Sequence, residues 1–320
     1  MTSTHHPARI DVHQHVNPPV WLDTMERNGL TDGWPIRAWD PDSAIAMMDD
    51  QGIATGILSV TTPGIHFGDD AEARTLARAV NEYGAEVVKN RPDRFGYFAM
   101  LPWPDLDGAL TETAHAMDAL GADGVVLLSN VHGRYLGEPE DEPLWDELDR
   151  RHATVFIHPS HPPVTLLPGV SPALADFLFD TTRAALNLAL KGTLARHPNV
   201  KVILSHAGGY LPYIAYRVTS LTSTVLAPDR TPEDVLTELK RFYFDTALSA
   251  SPSALPALLS FAEPGRVLYG SDWPYAPEAA GAYHNRFLDT HPDLTPEGRA
   301  AINRTNAEAL FPRLASDDRG

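Results

Sequence analysis

The sequence predicts a single (β/α)8 barrel spanning residues 1–320, and three observations carry that expectation. Eight short apolar runs recur along the chain, each separated from the next by helical patterns. The runs are near-continuously apolar, which suits strands buried on both faces of a parallel sheet. Several runs end abruptly in a histidine or aspartate, at the strand end where a barrel gathers its functional groups.

The first run is "RIDVHQH" (9–15). Asp40 then caps a helix with Pro41 at its first position, leading to "ATGILSV" (54–60). A long helix over 69–90 places Ala73, Leu76, Ala77, Val80, Tyr83 and Val87 at three- and four-residue spacing. "FGYFAML" (95–101), a helix over 105–119 and "GVVLLS" (124–129) follow. A helix near 141–151 precedes "ATVFIHP" (153–159), and a helical stretch over 171–196 precedes "VKVILSHAGG" (200–209). Further helical segments lead to "FYFDTA" (242–247), and a helix near 252–262 leads to "RVLYGSDWP" (266–274). A helix over 295–311 closes the chain. The longest irregular segments, 14–40, 61–68, 129–141 and 159–171, all follow strands and so belong to the functional face. Residues 1–7 read as a disordered tail.

Composition excludes several classes. With 42 acidic against 25 basic residues the net charge is −17, which disfavours nucleic acid as a partner. No apolar run reaches the length of a membrane span, and "MTSTHHPARID" lacks a secretory pattern. The expectation is therefore a cytoplasmic protein. There is no cysteine, so disulfides, thiolate metal sites and a cysteine nucleophile are all excluded.

In the first strand, His13 and His15 alternate onto one face. His158 ends the fifth strand, His206 the sixth and Asp272 the eighth. A barrel brings these ends into one ring. His13, His15, His158 and Asp272 make a three-nitrogen, one-oxygen set suited to a divalent cation such as Zn2+ or Mn2+. A lone strand-end histidine is more often an ordinary polar residue; four ligands at one rim outweigh that reading. His206 is either a fifth ligand or a group that holds a bound water or a substrate oxygen. His161 competes with His158 but lies beyond Pro159, in the loop. Asp11 and Asp245 are expected to orient ligands rather than bind metal. The fourth strand, "GVVLLSN", offers no lysine to bridge a second metal.

Aromatic residues after strands, Trp21, Trp34, Trp39, Phe67, Trp103 and Tyr275, could wall a pocket for a flat substrate. His66 and His132 lie in loops within reach of it, while His115, His152, His197, His284 and His291 are given no chemistry.

"DVHQH", "FIHP", "SHAGG" and "YGSDWP", in this order, resemble the amidohydrolase superfamily. "PGIHFGDD", "NRPDRFGYFAMLPWPD" and "NAEALF" extend the likeness over nearly the whole chain. It is closest to the metal-dependent decarboxylase branch, with its aminocarboxymuconate-semialdehyde, γ-resorcylate and 6-methylsalicylate decarboxylases, and most of all to the last type. The resemblance implies one divalent metal held by His13, His15, His158 and Asp272. It implies a catalytic or substrate-orienting role for His206 and an arginine that grips a carboxylate, for which Arg37 is the candidate; Asp272, next to the metal, is the candidate carrier of the proton. His66, Phe67, Trp103 and Tyr275 are the other candidate substrate contacts. The implied reaction is non-oxidative loss of CO2 from a small hydroxyaromatic or muconate-type carboxylic acid. Related enzymes are often dimers, so a homodimer is allowed. The rival reading is a metal-dependent hydrolase of a small lactone or amide, which the same ligand set would serve.

Overall fold

The computed structural model describes residues 7–30, 37–227 and 229–315. Trp34 and residues 1–6 of the expected tail lie outside the described residues. Eight parallel strands run in sequence order: β1 (Arg9–His15), β2 (Ile53–Ser59), β3 (Phe95–Met100), β4 (Gly124–Leu128), β5 (Thr154–His158), β6 (Lys201–Leu204), β7 (Tyr243–Asp245) and β8 (Val267–Leu268). Register sets which residues reach the rim: Leu128 pairs with His158, and Asp245 with Leu268. The sequence reads 266–274 as one strand; its two halves pair differently. Val267 and Leu268 pair with β7. The chain then crosses to β1, where Val12 N–H donates to Tyr269 O (3.0 Å), Asp272 N–H to His13 O (2.7 Å) and His15 N–H to Trp273 O (2.7 Å). These bonds close the barrel.

The helices follow local chemistry. Asp69 caps Asp70–Asn90, Asp105 caps Leu106–Asp118, and Asp40 caps Pro41–Asp50 by accepting from Ser43 N–H. The stretch expected at 171–196 divides into Asp176–Leu190 and Thr193–Arg196, because Gly192 takes a left-handed φ of 70°. Segment 14–40, expected to be irregular, contains a helix at Pro19–Arg27 that buries Trp21, Thr24 and Met25 on one face. After β8 a helix spans Glu278–Thr290, between the strand and the closing helix that the sequence pattern marks.

The barrel interior is packed. Phe156 lies against the His13 ring at 4.9 Å, and Phe98 stacks on Phe156 at 5.6 Å. Both phenylalanines are buried, and full burial of each contributes about 2–3 kcal/mol. This aromatic layer supports the polar cluster at the rim.

Candidate active site

β1 carries the first two candidate ligands and is irregular where it does so. Asp11 pairs with Gly56, yet Gln14 pairs with Leu58, so one extra residue of β1 is accommodated between them. Asp11 Oδ1 accepts from His13 N–H (3.0 Å) and from Ser271 N–H (3.0 Å), and Oδ2 accepts from Ser271 Oγ (2.6 Å). Asp11 thus ties β1 to the segment carrying Asp272. Its burial raises the carboxyl to about 6 against these hydrogen bonds.

Ligand atoms of His13, His15, His158 and Asp272 all lie within 4.8 Å of one another, and all four residues are buried. His13 Nε2 is 3.1 Å from His15 Nε2 and 3.2 Å from Asp272 Oδ1, and His15 Nε2 is 3.1 Å from the same oxygen. The opposite ring nitrogens are engaged elsewhere. His13 Nδ1–H donates to Asp245 Oδ2 (2.7 Å), His15 Nδ1–H to Ser59 O (3.2 Å) and His158 Nδ1–H to Pro159 O (2.9 Å). Each such bond fixes the tautomer that turns the Nε2 lone pair inward.

That donor set fits a divalent cation. With both imidazoles neutral, two inward lone pairs 3.1 Å apart repel, and a positive charge between them, proton or metal ion, relieves the repulsion. Ligand atoms in a tetrahedral site with bonds of about 2.1 Å stand about 3.4 Å apart, close to the 3.1–3.2 Å separations among His13, His15 and Asp272. Electrostatics agree. Burial lowers the pKa of His15, and burial with the neighbouring His15 and His13 pushes His158 well down. Burial opposes a charged His13, but Asp245 and Asp272 beside it push its pKa up to about 10. Burial would raise Asp272; His13 outweighs it, with hydrogen bonds from His13, His15 and His206, and holds the carboxyl well below its usual range. The cluster therefore calls for positive charge between imidazoles and carboxylate. A cation meets that demand and displaces any proton from His13.

His206 stands beside this set, its Nε2 3.3 Å from Asp272 Oδ2. Asp245 Oδ1 accepts from the backbone N–H of His206 (2.8 Å) while Oδ2 holds His13 Nδ1 (2.7 Å), so one carboxylate aligns the His13 ring and fixes the backbone that carries His206. The "SHAGG" turn makes this possible. His206, Ala207, Gly208 and Gly209 all have positive φ. At Gly209 a Cβ would lie 2.1 Å from Leu178 O, so only glycine lets the helix approach.

Above the cluster lies a cavity of about 350 Å3, floored by His158, His206 and Asp272 and walled largely by apolar groups such as Leu174, Phe177 and Leu248. Tyr275 lines it and donates to Asn17 Oδ1 (2.9 Å). The other expected contacts lie elsewhere. His66 and Phe67 line a neighbouring cleft with His132 and His161. Trp103 is buried and donates to Asp141 Oδ1 (3.0 Å), with Arg134 over its ring. Trp21 is fully buried, donating to Gly64 O (2.7 Å), and Trp39 packs near Tyr83 and Phe95. Arg37 is exposed; its carbonyl accepts from Asn17 Nδ2 (2.7 Å), and its charge reaches Tyr275. The cavity also contains Thr61, Thr62, Ser249 and His284, which sequence reasoning missed. For His284 a signal existed: Ala280 and His284 are four residues apart.

The sequence pattern of the amidohydrolase family matches residues 10–313. The 6-methylsalicylic acid decarboxylase of Penicillium expansum is 39% identical, with 96% of this chain and 97% of that protein aligned. The decarboxylase yanB of Aspergillus niger is 38% identical, with 96% of this chain and 88% of that protein aligned. The crystal structure of 5-carboxyvanillate decarboxylase from Novosphingobium aromaticivorans, complexed with manganese and 4-hydroxy-3-methoxy-5-nitrobenzoic acid, superposes with a TM-score of 0.85. Identity to that structure is 26%, and the match covers 95% of this chain and 96% of that one. This chain belongs to the amidohydrolase family, within its decarboxylase branch.

Proposed function

We propose that this protein is a metal-dependent, non-oxidative decarboxylase of a small hydroxyaromatic acid of the 6-methylsalicylate type. One observation carries the reading: His158 and Asp272 of the four-residue cluster, together with His206, floor a mostly apolar cavity of about 350 Å3. Identity of 38–39% to enzymes named decarboxylases supports the reaction class. In this reading His13, His15, His158 and Asp272 hold one divalent cation. Manganese in the carboxyvanillate enzyme supports Mn2+, and the nitrogen-rich set also suits Zn2+.

When bound, the cation supplies positive charge that orients a carboxylate with its neighbouring hydroxyl and offsets charge on their oxygens. The protein's own residues do the rest. Asp272 turns Oδ1 toward His13 and His15 and Oδ2 toward His206 Nε2. A proton passes from this His206–Asp272 pair to the ring carbon bearing the carboxylate. A C–H bond forms there, the C–C bond to the carboxylate breaks, its electron pair restores the aromatic ring, and CO2 leaves. The apolar walls favour departure of a neutral product over retention of a charged one. Arg37 is exposed and its charge reaches Tyr275 in the cavity wall, so it would draw an incoming carboxylate toward the cavity.

The test is metal analysis of the purified protein followed by CO2 release from a panel of hydroxybenzoic acids. CO2 release from 2-hydroxy-6-methylbenzoate supports the reading. In 18O-labelled water, label in a ring-opened or cleaved product would instead show hydrolysis. His206→Asn should keep its metal and lose turnover by about 10²–10⁴-fold. Metal loss in that variant would make His206 a ligand.

A further inference from the structure

The helix Glu278–Thr290 turns one face to the cavity, with Ala280 and His284 both lining it. Ala280 is small and leaves space beside the imidazole. His284 Nδ1–H donates to Ala250 O (3.1 Å). That bond fixes the tautomer and leaves the lone pair on Nε2. Among the described residues, Nε2 has no hydrogen-bond partner of its own. The anchor is built into the loop after β7. Leu248 adopts a φ of 50°, uncommon for a bulky side chain, and Ser249 N–H turns back to Thr246 O (3.0 Å). This turn presents the buried Ala250 to His284. Burial also lowers the pKa of His284, which keeps the ring neutral and its acceptor intact at neutral pH.

The remaining wall is informative. Among the described residues, no lysine, arginine or glutamate lines the cavity. It therefore offers nothing to neutralise a second carboxylate away from the floor. Beside the hydroxyls of Thr61, Thr62 and Ser249, it offers the neutral Nε2 of His284, an acceptor that pairs with a hydroxyl donor.

We propose that His284 is a specificity-determining residue whose Nε2 accepts a hydrogen bond from a substrate ring hydroxyl remote from the carboxylate. This rests on the decarboxylase reading and deepens it: among acids of the 6-methylsalicylate type, the preferred one carries a second ring hydroxyl. The contact forms in ground and transition states alike, so it acts on KM rather than kcat.

The test compares 2-hydroxy-6-methylbenzoate with 2,4-dihydroxy-6-methylbenzoate in the metal-loaded wild type, His284→Leu and His284→Gln. Calorimetry of the matching products, 3-methylphenol and 5-methylbenzene-1,3-diol, reads the same contact without turnover. The wild type should favour the dihydroxy acid by about tenfold in kcat/KM, through KM, and bind the diol about tenfold tighter. His284→Leu should erase both preferences while binding 3-methylphenol unchanged; His284→Gln, whose amide oxygen can accept, should restore part. Equal binding of the two phenols by the wild type, or an undiminished preference in His284→Leu, overturns the inference. If neither acid releases CO2 but the diol preference remains and depends on His284, the decarboxylase reading fails and this assignment stands.

Discussion

β1 treats polar groups in opposite ways at its two ends. At its start, Arg9 is buried yet satisfied within the chain. It donates to Asn303 Oδ1 (3.0 Å), Gln51 O (2.5 Å) and Asp289 Oδ1 (2.6 Å), and it lies over the Tyr269 ring. At its finish, His13 and His15 are equally buried, but their Nε2 lone pairs face each other and a carboxylate. One end is closed electrostatically by its own residues. The other keeps a demand for positive charge that a cation would meet. The contrast separates groups that hold the fold together from groups kept for chemistry.

Substitutions at the two ends should therefore have opposite signatures. The largest effect is expected for His158→Ala, which removes a proposed ligand: metal content should fall below a tenth of an equivalent and CO2 release by at least about 10³-fold. Full metal occupancy in that variant would remove His158 from the ligand set and make His161 the suspect. Asp245→Asn should be milder. It loosens the grip on His13 Nδ1, and metal affinity should weaken by about 10–100-fold with the fold intact. Arg9→Met should do the reverse, lowering unfolding stability by about 2 kcal/mol in denaturant titrations while leaving metal content unchanged. Metal loss in Arg9→Met would blur the division between the two ends.

The smallest effect concerns pH. Hydrogen bonds from Arg150, and then Arg151, hold the Glu147 carboxyl at about 2 despite partial burial. Its folded pKa lies below its ordinary value, so its stabilisation is in place above about pH 4.5. It is lost as pH falls toward 2. Urea titrations at pH 5 and pH 3 should show a smaller loss for Glu147→Gln than for the wild type; equal losses would remove this pair from the account.

Much of this architecture was legible before any coordinates. Near-continuous apolar runs mark strands wrapped by helices, and register leaves their last residues at one rim. His13, His15, His158 and Asp272 stood out because each interrupts such a run at its end. The loops resisted the same reading, because their positions depend on partners remote in sequence. Trp103 is fixed by Asp141 and Trp21 by Gly64, contacts that no local pattern announces. His284 escaped for another reason. The sequence pattern marks a strand over 266–274 and a closing helix over 295–311, but not the helix between them that carries Ala280 and His284 on one face. The break at Gly192 and the left-handed "SHAGG" turn likewise depend on how helices close on the barrel, as the approach of Leu178 to Gly209 shows.

The most direct test is the metal stoichiometry of the wild-type protein, measured by elemental analysis after loading with Mn2+ or Zn2+ and removal of excess. One equivalent per chain, stripped by chelation together with CO2 release and restored with it, is the predicted result. Less than a tenth of an equivalent, or CO2 release that survives complete metal removal, would contradict the claim that the four converging side chains are a cation site.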